Sequence, residues 1–377
     1  MRKLSNRTHR LDVIVIGAGA AGIGVGLVLQ RLGLQNFAIV ERDQIGASFE
    51  RWPKEMRFIT PSFNSNPFGL MDLNSIALQT SPAYSFETEH LTGAQYAAYL
   101  RGVAKHWQLP IETGINVQDT VYESDAFHIK ANTGERRARF VIWAGGEFQY
   151  PKLKPFAGAE LCLHNSLIET WATVKGKEFV VIGGYESGID AAINLAKLGK
   201  TVRVLDGKGK WTYDDADPSI ALSPYTKGRL RTALQTGRVE LMKDARVQRV
   251  EKQGKHWAIR TEAGDWLESE TQPILASGFH SSASAMPHLW QFRDDGMPLL
   301  TEHDESTVTP GLFLGGPSVR QGRHIFCFIY KFRQRFAVVA NQIAQRMGVD
   351  TQPLEVFRQS NMFLEDLSCC GTGCAKC

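Results

Sequence analysis

The amino-acid sequence predicts an α/β protein that contains two Rossmann-like units. Two observations support this fold class. A short apolar strand pattern, a glycine-rich turn and a helical pattern follow one another near the N-terminus, and the same order returns near the middle of the chain. In each copy a second strand pattern ends in an acidic residue. The chain has 377 residues, which is enough for two domains with separate cores.

The first copy begins with a strand pattern over residues 13–16. Gly17, Gly19 and Gly22 follow it and fit the pattern G-x-G-x-x-G. In this pattern the first glycine allows a tight turn, the second lets the backbone approach a pyrophosphate, and the third lets the helix pack closely on the strand. The spacing therefore predicts a dinucleotide-binding loop. A glycine-rich packing turn is the alternative.

The helix after this loop is expected to take part in phosphate binding. Ala20 and Ala21 lie at its start, where backbone N–H groups and the positive end of the helix dipole favour an anion. Glu41 ends the next strand at the distance from the glycines at which an acid accepts hydrogen bonds from a ribose, and Arg42 follows it. We expect these four residues to contact the dinucleotide.

The second copy lies in the middle of the chain and begins with a strand pattern over residues 180–182. It departs from the motif at one position, because Tyr185 stands where the middle glycine is expected. A second strand–helix–strand unit in a chain that already has one still predicts nucleotide binding. An ordinary unit without a ligand is the alternative. The residues predicted to bind are Gly183 in the turn, Gly184 beside it, Ser187 at the start of the helix, Gly188 at the third glycine position and Asp206 at the end of the next strand.

Two such loops in one chain resemble the flavoproteins with two dinucleotide-binding domains, which include thioredoxin reductases, flavin-containing monooxygenases and Baeyer–Villiger monooxygenases. The resemblance implies that the first loop binds FAD and the second binds NADH or NADPH. Three further segments support this resemblance. Ala144–Gly146 and Ala276–Gly278 resemble the connections between the two domains. Gly315 and Gly316 resemble the strand end that reaches the flavin. Gly316-Pro317 replaces the aspartate often found there.

The resemblance also implies a domain layout in which the NAD(P) domain is inserted into a discontinuous FAD domain. We expect FAD-binding parts at residues 1–157 and 281–377, with the NAD(P)-binding domain at 158–280. Asp206 favours a free ribose 2′-hydroxyl and therefore NADH. Lys208 and Lys210 follow it, and either could hold the 2′-phosphate of NADPH. Family members are often dimeric, so a homodimer is possible.

The electron acceptor is the open question. Disulfide reductases of this family need a cysteine pair beside the flavin, and residues 45–66 and 175–280 contain no cysteine. The segment with Gly46 and Trp52 instead resembles a glycine- and tryptophan-containing segment of the monooxygenases, where Trp52 would pack near the flavin. The alternative is that Trp52, with Phe49 and Phe58, is a core residue. Asn64 and Asn66 are candidates to hydrogen-bond activated oxygen or the nicotinamide, with a turn as the alternative for each.

Four cysteines, Cys369, Cys370, Cys374 and Cys377, lie close together at the end of the chain. Four thiolates suit zinc or an iron–sulfur cluster. The vicinal pair and the C-x-x-C spacing equally suit a redox tail. A tail without either role is the third possibility. All three interpretations stay open at this stage. The segment before the tail, over about residues 353–366, is expected to be a helix that anchors it.

Composition limits the class of protein. A net charge of +4 is too small to indicate a nucleic-acid surface. No stretch of about 18 apolar residues predicts a membrane span. Cysteines outside the tail are few, which favours a reducing cytoplasm. Together with these limits, the resemblance to the flavoproteins implies a cytoplasmic FAD-dependent NAD(P)H oxidoreductase that uses O₂ to oxygenate a small molecule. The alternatives are a thiol or disulfide reductase that uses the tail cysteines, and a flavin-bound redox or metal sensor.

Overall fold

The computed structural model describes residues 10–63, 71–215 and 217–368. Its strands are β1 (Leu11–Ile16), β2 (Phe37–Glu41), β3 (Ile111–Thr113), β4 (Val117–Glu123), β5 (Ala126–Ala131), β6 (Gly134–Trp143), β7 (Leu163–His164), β8 (Glu178–Ile182), β9 (Thr201–Asp206), β10 (Val239–Lys243), β11 (Val247–Gln253), β12 (His256–Thr261), β13 (Trp266–Ser269), β14 (Ile274–Leu275), β15 (Leu312–Leu314), β16 (Arg320–Gln321) and β17 (His324–Ile325). Its α-helices are α1 (Ala20–Arg31), α2 (Ala47–Glu50), α3 (Pro82–Phe86), α4 (Gly93–His106), α5 (Glu186–Lys197), α6 (Pro224–Gln235), α7 (Ile329–Phe332), α8 (Phe336–Met347) and α9 (Glu355–Gln359).

The described residues form two compact units. The first contains residues 10–50, 61–63, 71–149 and 280–367, and the second contains residues 51–60, 150–215, 217–279 and 368. Each unit has its own sheet built around parallel strands, with a glycine loop at the end of one of them. The predicted α/β fold class with two Rossmann-like units is therefore confirmed. The domain limits at residues 157 and 280, and the assignment of each unit to a cofactor, stay predictions.

The sheet of the first unit has the strand order β3-β2-β1-β6-β5-β4, and β15 also pairs with β6. Strand β1 lies parallel to both β2 and β6. Its residues Val13, Ile14 and Val15 are fully buried, as expected for a β-branched run covered on both faces. Strands β4 and β5 extend the sheet in antiparallel fashion.

Helix α1 lies close to α8 in the same unit. A Cβ atom added to Gly24 would lie 2.0 Å from the ring of Phe336, so the missing side chain lets the two helices meet. Gly26 has the same role toward β2, because its added Cβ would lie 2.6 Å from Ile39. These two contacts fix the direction in which α1 leaves the first glycine loop.

The second unit contains the parallel sheet β10-β9-β8-β14-β7 and a separate antiparallel sheet, β11-β12-β13. Strand β8 lies between β9 and β14. The chain reverses its strand order there, since β9 lies on one side of β8 and the later β14 on the other. Such a point is where open α/β sheets bind ligands, beyond the carboxyl ends of the strands.

One predicted element is wrong in extent. The sequence suggested a helix over about residues 353–366, but α9 ends at Gln359. Asn361 has a positive φ of 53°, which stops helical continuation. Met362 is then fully buried, and the N–H of Leu364 donates to the carbonyl of Gln334. Residues 361–364 are therefore held by packing and hydrogen bonding to the rest of the unit, and they do not form the last turns of the predicted helix.

Within the described part of the chain, no helix is both long and apolar enough to cross a membrane.

Candidate functional site

The first glycine loop turns tightly, and at two of its glycines there is no room for a side chain unless the backbone shifts. Gly17 has a φ of +108°, and an added Cβ would lie 2.5 Å from the carbonyl oxygen of Ala144. An added Cβ on Gly22 would lie 1.8 Å from the carbonyl oxygen of Gly17. Because these contacts are with backbone atoms, a side chain at either position would force the backbone to shift. The structure therefore gives both glycines the steric reasons that the motif predicts.

Gly19 differs, because nothing lies within 4 Å of an added Cβ. The space above it is open. Helix α1 begins at the next residue and has no side-chain cap, so the first N–H groups of Ala20 and Ala21 face a site without a competing side-chain acceptor. Open space, a helix N-terminus and a missing side chain suit a pyrophosphate.

Glu41 holds the loop from the end of β2. One carboxylate oxygen accepts from the N–H of Ala18 at 2.8 Å, and the other accepts from the N–H of Asp43 at 2.9 Å. A carboxylate has about four lone-pair positions, so both oxygens can still accept from a ribose. Arg42, which was predicted to take part, is exposed just beyond Glu41.

Gly315 and Gly316 follow β15 and come next to the first loop. The N–H of Gly315 donates to the carbonyl of Trp143 at 2.9 Å. An added Cβ on Gly316 would lie 3.2 Å from the Cβ of Ala21. The structure thus brings two predicted segments, separated by almost 300 residues, to the start of α1.

A buried ion pair supports this arrangement and was not anticipated from the sequence. The Nε of Arg335 donates to Asp304 at 2.8 Å, and both side chains are at most 2% exposed. The carbonyl of Asp304 accepts from the N–H of Leu314 at 2.8 Å, directly before Gly315. The sequence does not reveal this pair, because its two residues are 31 positions apart and belong to no motif.

The second glycine loop repeats the backbone of the first. Gly183 has a φ of +107°, and its added Cβ would lie 2.4 Å from the carbonyl oxygen of Ala276. An added Cβ on Gly188 would lie 1.8 Å from the carbonyl oxygen of Gly183. These are the same two constraints as at Gly17 and Gly22. Ser187 lies in the first turn of α5, as predicted.

Tyr185 occupies the position that corresponds to Gly19. It is the N-cap residue of α5, and its extended backbone resembles that of Gly19. Its hydroxyl donates to the carbonyls of Pro218 and Ala221. The Nζ of Lys210 lies 4.1 Å from the centre of its ring. Burial and the neighbouring Lys208 lower the pKa of Lys210.

Asp206 holds the second loop as Glu41 holds the first, but with more hydrogen bonds. Its carboxylate accepts from the N–H groups of Gly184 at 2.9 Å, Lys208 at 2.8 Å and Gly209 at 2.6 Å. The ring of Trp211 packs behind the loop, since an added Cβ on Gly184 would lie 2.1 Å from it. Trp211 therefore leaves no room for a side chain at Gly184. The sequence did not predict this contact.

Cysteine chemistry is limited in the described part of the chain. It contains two cysteines, Cys162 and Cys327, and neither is in a disulfide. Burial raises the pKa of Cys162 to about 12, so its thiol is a poor nucleophile at neutral pH. Trp52, predicted to lie near the flavin, belongs to the second unit, and its ring centre lies 4.9 Å from that of Phe58.

Several predicted site residues lie outside the described residues: Asn64, Asn66, Cys369, Cys370, Cys374 and Cys377. Among the described side chains, no group of three or more His, Cys, Asp or Glu could hold a metal ion. The four cysteines predicted to bind zinc or an iron–sulfur cluster are not among these side chains, so that expectation stays an unsupported prediction.

Comparison with known proteins identifies the family. The profile of the pyridine nucleotide-disulphide oxidoreductases matches residues 14–316. The bacilliredoxin reductase Bdr of Bacillus subtilis is 21% identical over 337 residues, which cover 88% of this chain and 97% of that protein. An uncharacterized CzcO-like oxidoreductase of Geobacillus kaustophilus is 28% identical over 194 residues. That match covers 50% of this chain and spans only 52% of the relative's length.

Two solved structures share the fold. The bacillithiol disulfide reductase Bdr of Staphylococcus aureus has a TM-score of 0.73 at 20% identity, covering 90% of this chain and 99% of that one. A flavin-containing monooxygenase of Stenotrophomonas maltophilia has a TM-score of 0.67 at 19% identity, with the same coverage. Reductases and monooxygenases are thus both among the structures that this chain resembles.

Proposed function

This chain belongs to the pyridine nucleotide-disulphide oxidoreductase family, and we propose that it is an FAD-dependent NAD(P)H oxidoreductase that uses O₂ to oxygenate a small molecule. FAD and NAD(P)H are the cofactors expected for the family. The observation that carries the proposal is the pair of glycine loops with matched backbone constraints at Gly17 and Gly22 and at Gly183 and Gly188. Each loop lies at the start of a helix that has no side-chain cap.

The first loop fits the pyrophosphate of FAD. The open space at Gly19 and the N–H groups at the start of α1 would receive the phosphates, and Glu41 would accept from the ribose. Gly315 and Gly316, next to Ala21, would present backbone to the same ligand. The second loop, with Ser187 and Asp206, would bind the nicotinamide dinucleotide. When bound, FAD accepts a hydride and can reduce either O₂ or a disulfide.

The cysteine pattern favours O₂ as the acceptor. A disulfide acceptor needs a cysteine pair in contact with the flavin, and the two cysteines of the described residues, Cys162 and Cys327, lie in different units and are not joined in a disulfide. Burial raises the pKa of the Cys162 thiol, so little reactive thiolate is available for thiol–disulfide exchange. Trp52, Asn64 and Asn66 remain the proposed residues for shaping the oxygen-reactive side of the site.

A disulfide reductase is the second candidate. The match to bacilliredoxin reductase spans nearly the whole of both proteins, and a bacillithiol disulfide reductase has the same fold. The four tail cysteines would then accept electrons from the flavin. The segment before them is held in the first unit, because Arg335 donates to the carbonyl of Leu364.

Anaerobic titration of the FAD-loaded protein with NADPH and NADH tests the two candidates. An oxygenase without a redox tail should bleach the flavin completely at one equivalent per FAD. A variant with all four tail cysteines replaced by serine should behave identically. Consumption of two or more equivalents, falling to one in the serine variant, would establish the reductase and contradict the oxygenase. Under air, oxygenation should couple NAD(P)H oxidation to product.

A further inference from the structure

The side-chain amide of Gln149, in the first unit, has a buried oxygen without a hydrogen-bond partner. Its Nε2 donates to the Oγ of Ser48 at 2.7 Å. Its Oε1 is shielded from solvent and has no partner among the residues that the structure describes. Leaving a buried acceptor unpaired costs free energy, so such atoms are nearly always paired in folded proteins. The Oε1 of Gln149 is therefore able to accept from a bound ligand.

Ser48 comes from the segment that follows β2 and touches the first glycine loop. The N–H of Gly46 donates to the carbonyl of Ala18, a residue of this loop, at 3.1 Å. An added Cβ on Gly46 would lie 3.0 Å from the Cα of Ala97, so the turn packs directly on α4. Helix α2 begins after this turn and contains Ser48. The hydroxyl of Ser48 is thus two residues away from a backbone contact with the loop.

Gln149 comes from the other neighbour of β1. It follows β6 as Ser48 follows β2, and β1 lies between these two strands. The N–H of Ala144 donates to the carbonyl of Ile16 at 2.8 Å, and its carbonyl oxygen lies against Gly17. The hydrogen bond between Gln149 and Ser48 therefore joins the two segments that flank the first loop. Ligands of open α/β sheets bind at this end of the strands.

The chemistry of a side-chain amide selects the part of FAD that it can bind. Phosphate oxygens accept hydrogen bonds at neutral pH, so they do not satisfy an acceptor such as Oε1. The Ser48 hydroxyl can both donate and accept, so the amide of Gln149 could also turn and present its NH₂ group. A ligand hydroxyl suits either orientation, because it also donates and accepts. In FAD the ribityl chain, which joins the pyrophosphate to the ring, carries such hydroxyls.

The strand end after β15 has no side chain for this role. Gly315, Gly316 and Pro317 carry no side-chain hydrogen-bonding group, although this segment lies next to the start of α1. The Glu41 carboxylate accepts from two backbone N–H groups, and its other lone pairs are assigned to the ribose. The unpaired amide oxygen of Gln149 is therefore a suitable acceptor for a further hydroxyl of FAD.

We propose that the side-chain amide of Gln149 binds a hydroxyl of the ribityl chain of FAD, and that Ser48 is the positioning residue that orients it. The inference rests on the proposed function, because it takes the first loop to be the FAD site. It adds a side chain to a segment whose motif residues Gly145 and Gly146 can contribute backbone groups only.

Equilibrium dialysis of the apoprotein tests the proposal without turnover. The ligands are FAD and three analogues that lack the 2′-, 3′- or 4′-hydroxyl of the ribityl chain. Gln149→Met should bind FAD about three- to tenfold more weakly than the wild type, because it loses one hydrogen bond. One analogue should bind the wild type more weakly by a similar factor. Gln149→Met should bind that analogue and FAD with affinities within about twofold of each other.

Two further variants separate this hydrogen bond from general effects. Ser48→Ala should weaken FAD binding less than Gln149→Met and should have no effect in the Gln149→Met background, because it acts through the amide. Gln30→Met is the matched control. The Gln30 amide is also half-buried and donates to the carbonyl of Trp107 at 2.9 Å, but it lies in the last turn of α1, away from the loop. This control should leave the affinity for FAD unchanged.

The other outcomes are distinct. Wild-type affinity for FAD in Gln149→Met, or a hydroxyl effect that persists in this variant, would overturn the proposal and leave the proposed function in place. Equal binding of FAD and all three analogues to the wild type would also overturn it, even if Gln149→Met does not fold. Failure of the wild-type apoprotein to bind FAD would overturn the proposed function as well.

Discussion

The two glycine loops have the same backbone and different surroundings. In both, the first glycine has a positive φ near 107°, and the last lies against the carbonyl of the first. The middle position differs, because Gly19 faces open space whereas Tyr185 extends its ring beneath the ammonium of Lys210. Backbone geometry therefore defines the dinucleotide motif, while the residue at the middle position and the turn after the second strand set the chemistry around the ligand.

The difference also suggests how each loop is used. The first is open, neutral at its middle position and supported by Gly315 and Gly316, which suits a tightly held cofactor. The second is lined by Tyr185, Trp211 and the partly buried Lys210, whose ammonium lies over the Tyr185 ring. Such a surface suits a ligand that brings its own charge and leaves after each cycle.

The largest expected effect concerns the support of the first loop. Arg335→Met should lower the free energy of unfolding by about 3–5 kcal/mol, because it leaves the buried Asp304 carboxylate without its cation. Urea denaturation followed by circular dichroism measures this change. Arg358→Met is the matched control, since its ion pairs are half-exposed and should be worth about 1 kcal/mol or less. Equal losses in both variants would show that the buried pair has no special role.

Gly22→Ala should follow, with a loss of about 1–3 kcal/mol from overpacking. Its methyl group would lie 1.8 Å from the Gly17 carbonyl oxygen, so α1 must shift away from β1. Gly102→Ala is the control, because this glycine lies in α4 with nothing near its added Cβ. That change should be neutral or slightly stabilising. Thermal unfolding of both apoproteins provides the comparison, and a neutral Gly22→Ala would contradict the described geometry.

Gly19→Ala separates binding from stability. The added methyl group meets no protein atom within 4 Å, so the free energy of unfolding of the apoprotein should change by less than about 0.5 kcal/mol. The methyl group would occupy the proposed pyrophosphate site, and FAD affinity should fall by more than about tenfold. Equilibrium dialysis with FAD measures the affinity. Unchanged FAD affinity would show that the pyrophosphate does not bind next to Gly19.

The smallest expected effect is at Cys162. Its pKa is raised from 9.0 to about 12, so the folded protein keeps the proton while the unfolded chain loses it. Stability from this group is therefore full below pH 9 and falls as the pH rises from about 9 to 12. Cys162→Ala should flatten this part of the pH–stability curve. The rate of NADPH oxidation at pH 7.5 should stay within about twofold of the wild type, and a large loss of activity would assign Cys162 a redox role.

Local features of both loops could be predicted from the sequence. The roles of glycines at fixed spacing and of acids at the strand ends depend on steric contacts and hydrogen bonds with a few neighbouring residues. Such local roles can be predicted from the sequence. The positions of Gly17, Gly22, Gly183 and Gly188 agree with those roles in the structure. The α/β class followed from the same local patterns.

Contacts between distant segments could not be predicted. Asp304 and Arg335 meet only after β15 and α8 have folded together, and neither residue belongs to a motif. The end of α9 at Gln359 also depends on tertiary burial of Met362. The hydrogen bonds that the Asp206 carboxylate accepts come partly from its own turn. The sequence predicted the position of Asp206 but not these hydrogen bonds.

The most direct test of the division of labour between the two loops is stopped-flow reduction of the Gly188→Ala variant by NADPH without oxygen. The account predicts that the purified variant keeps its FAD, is reduced by dithionite like the wild type, and is reduced by NADPH far more slowly. Loss of FAD from this variant, or reduction by NADPH at the wild-type rate, would contradict the assignment of FAD to the first loop and of NADPH to the second.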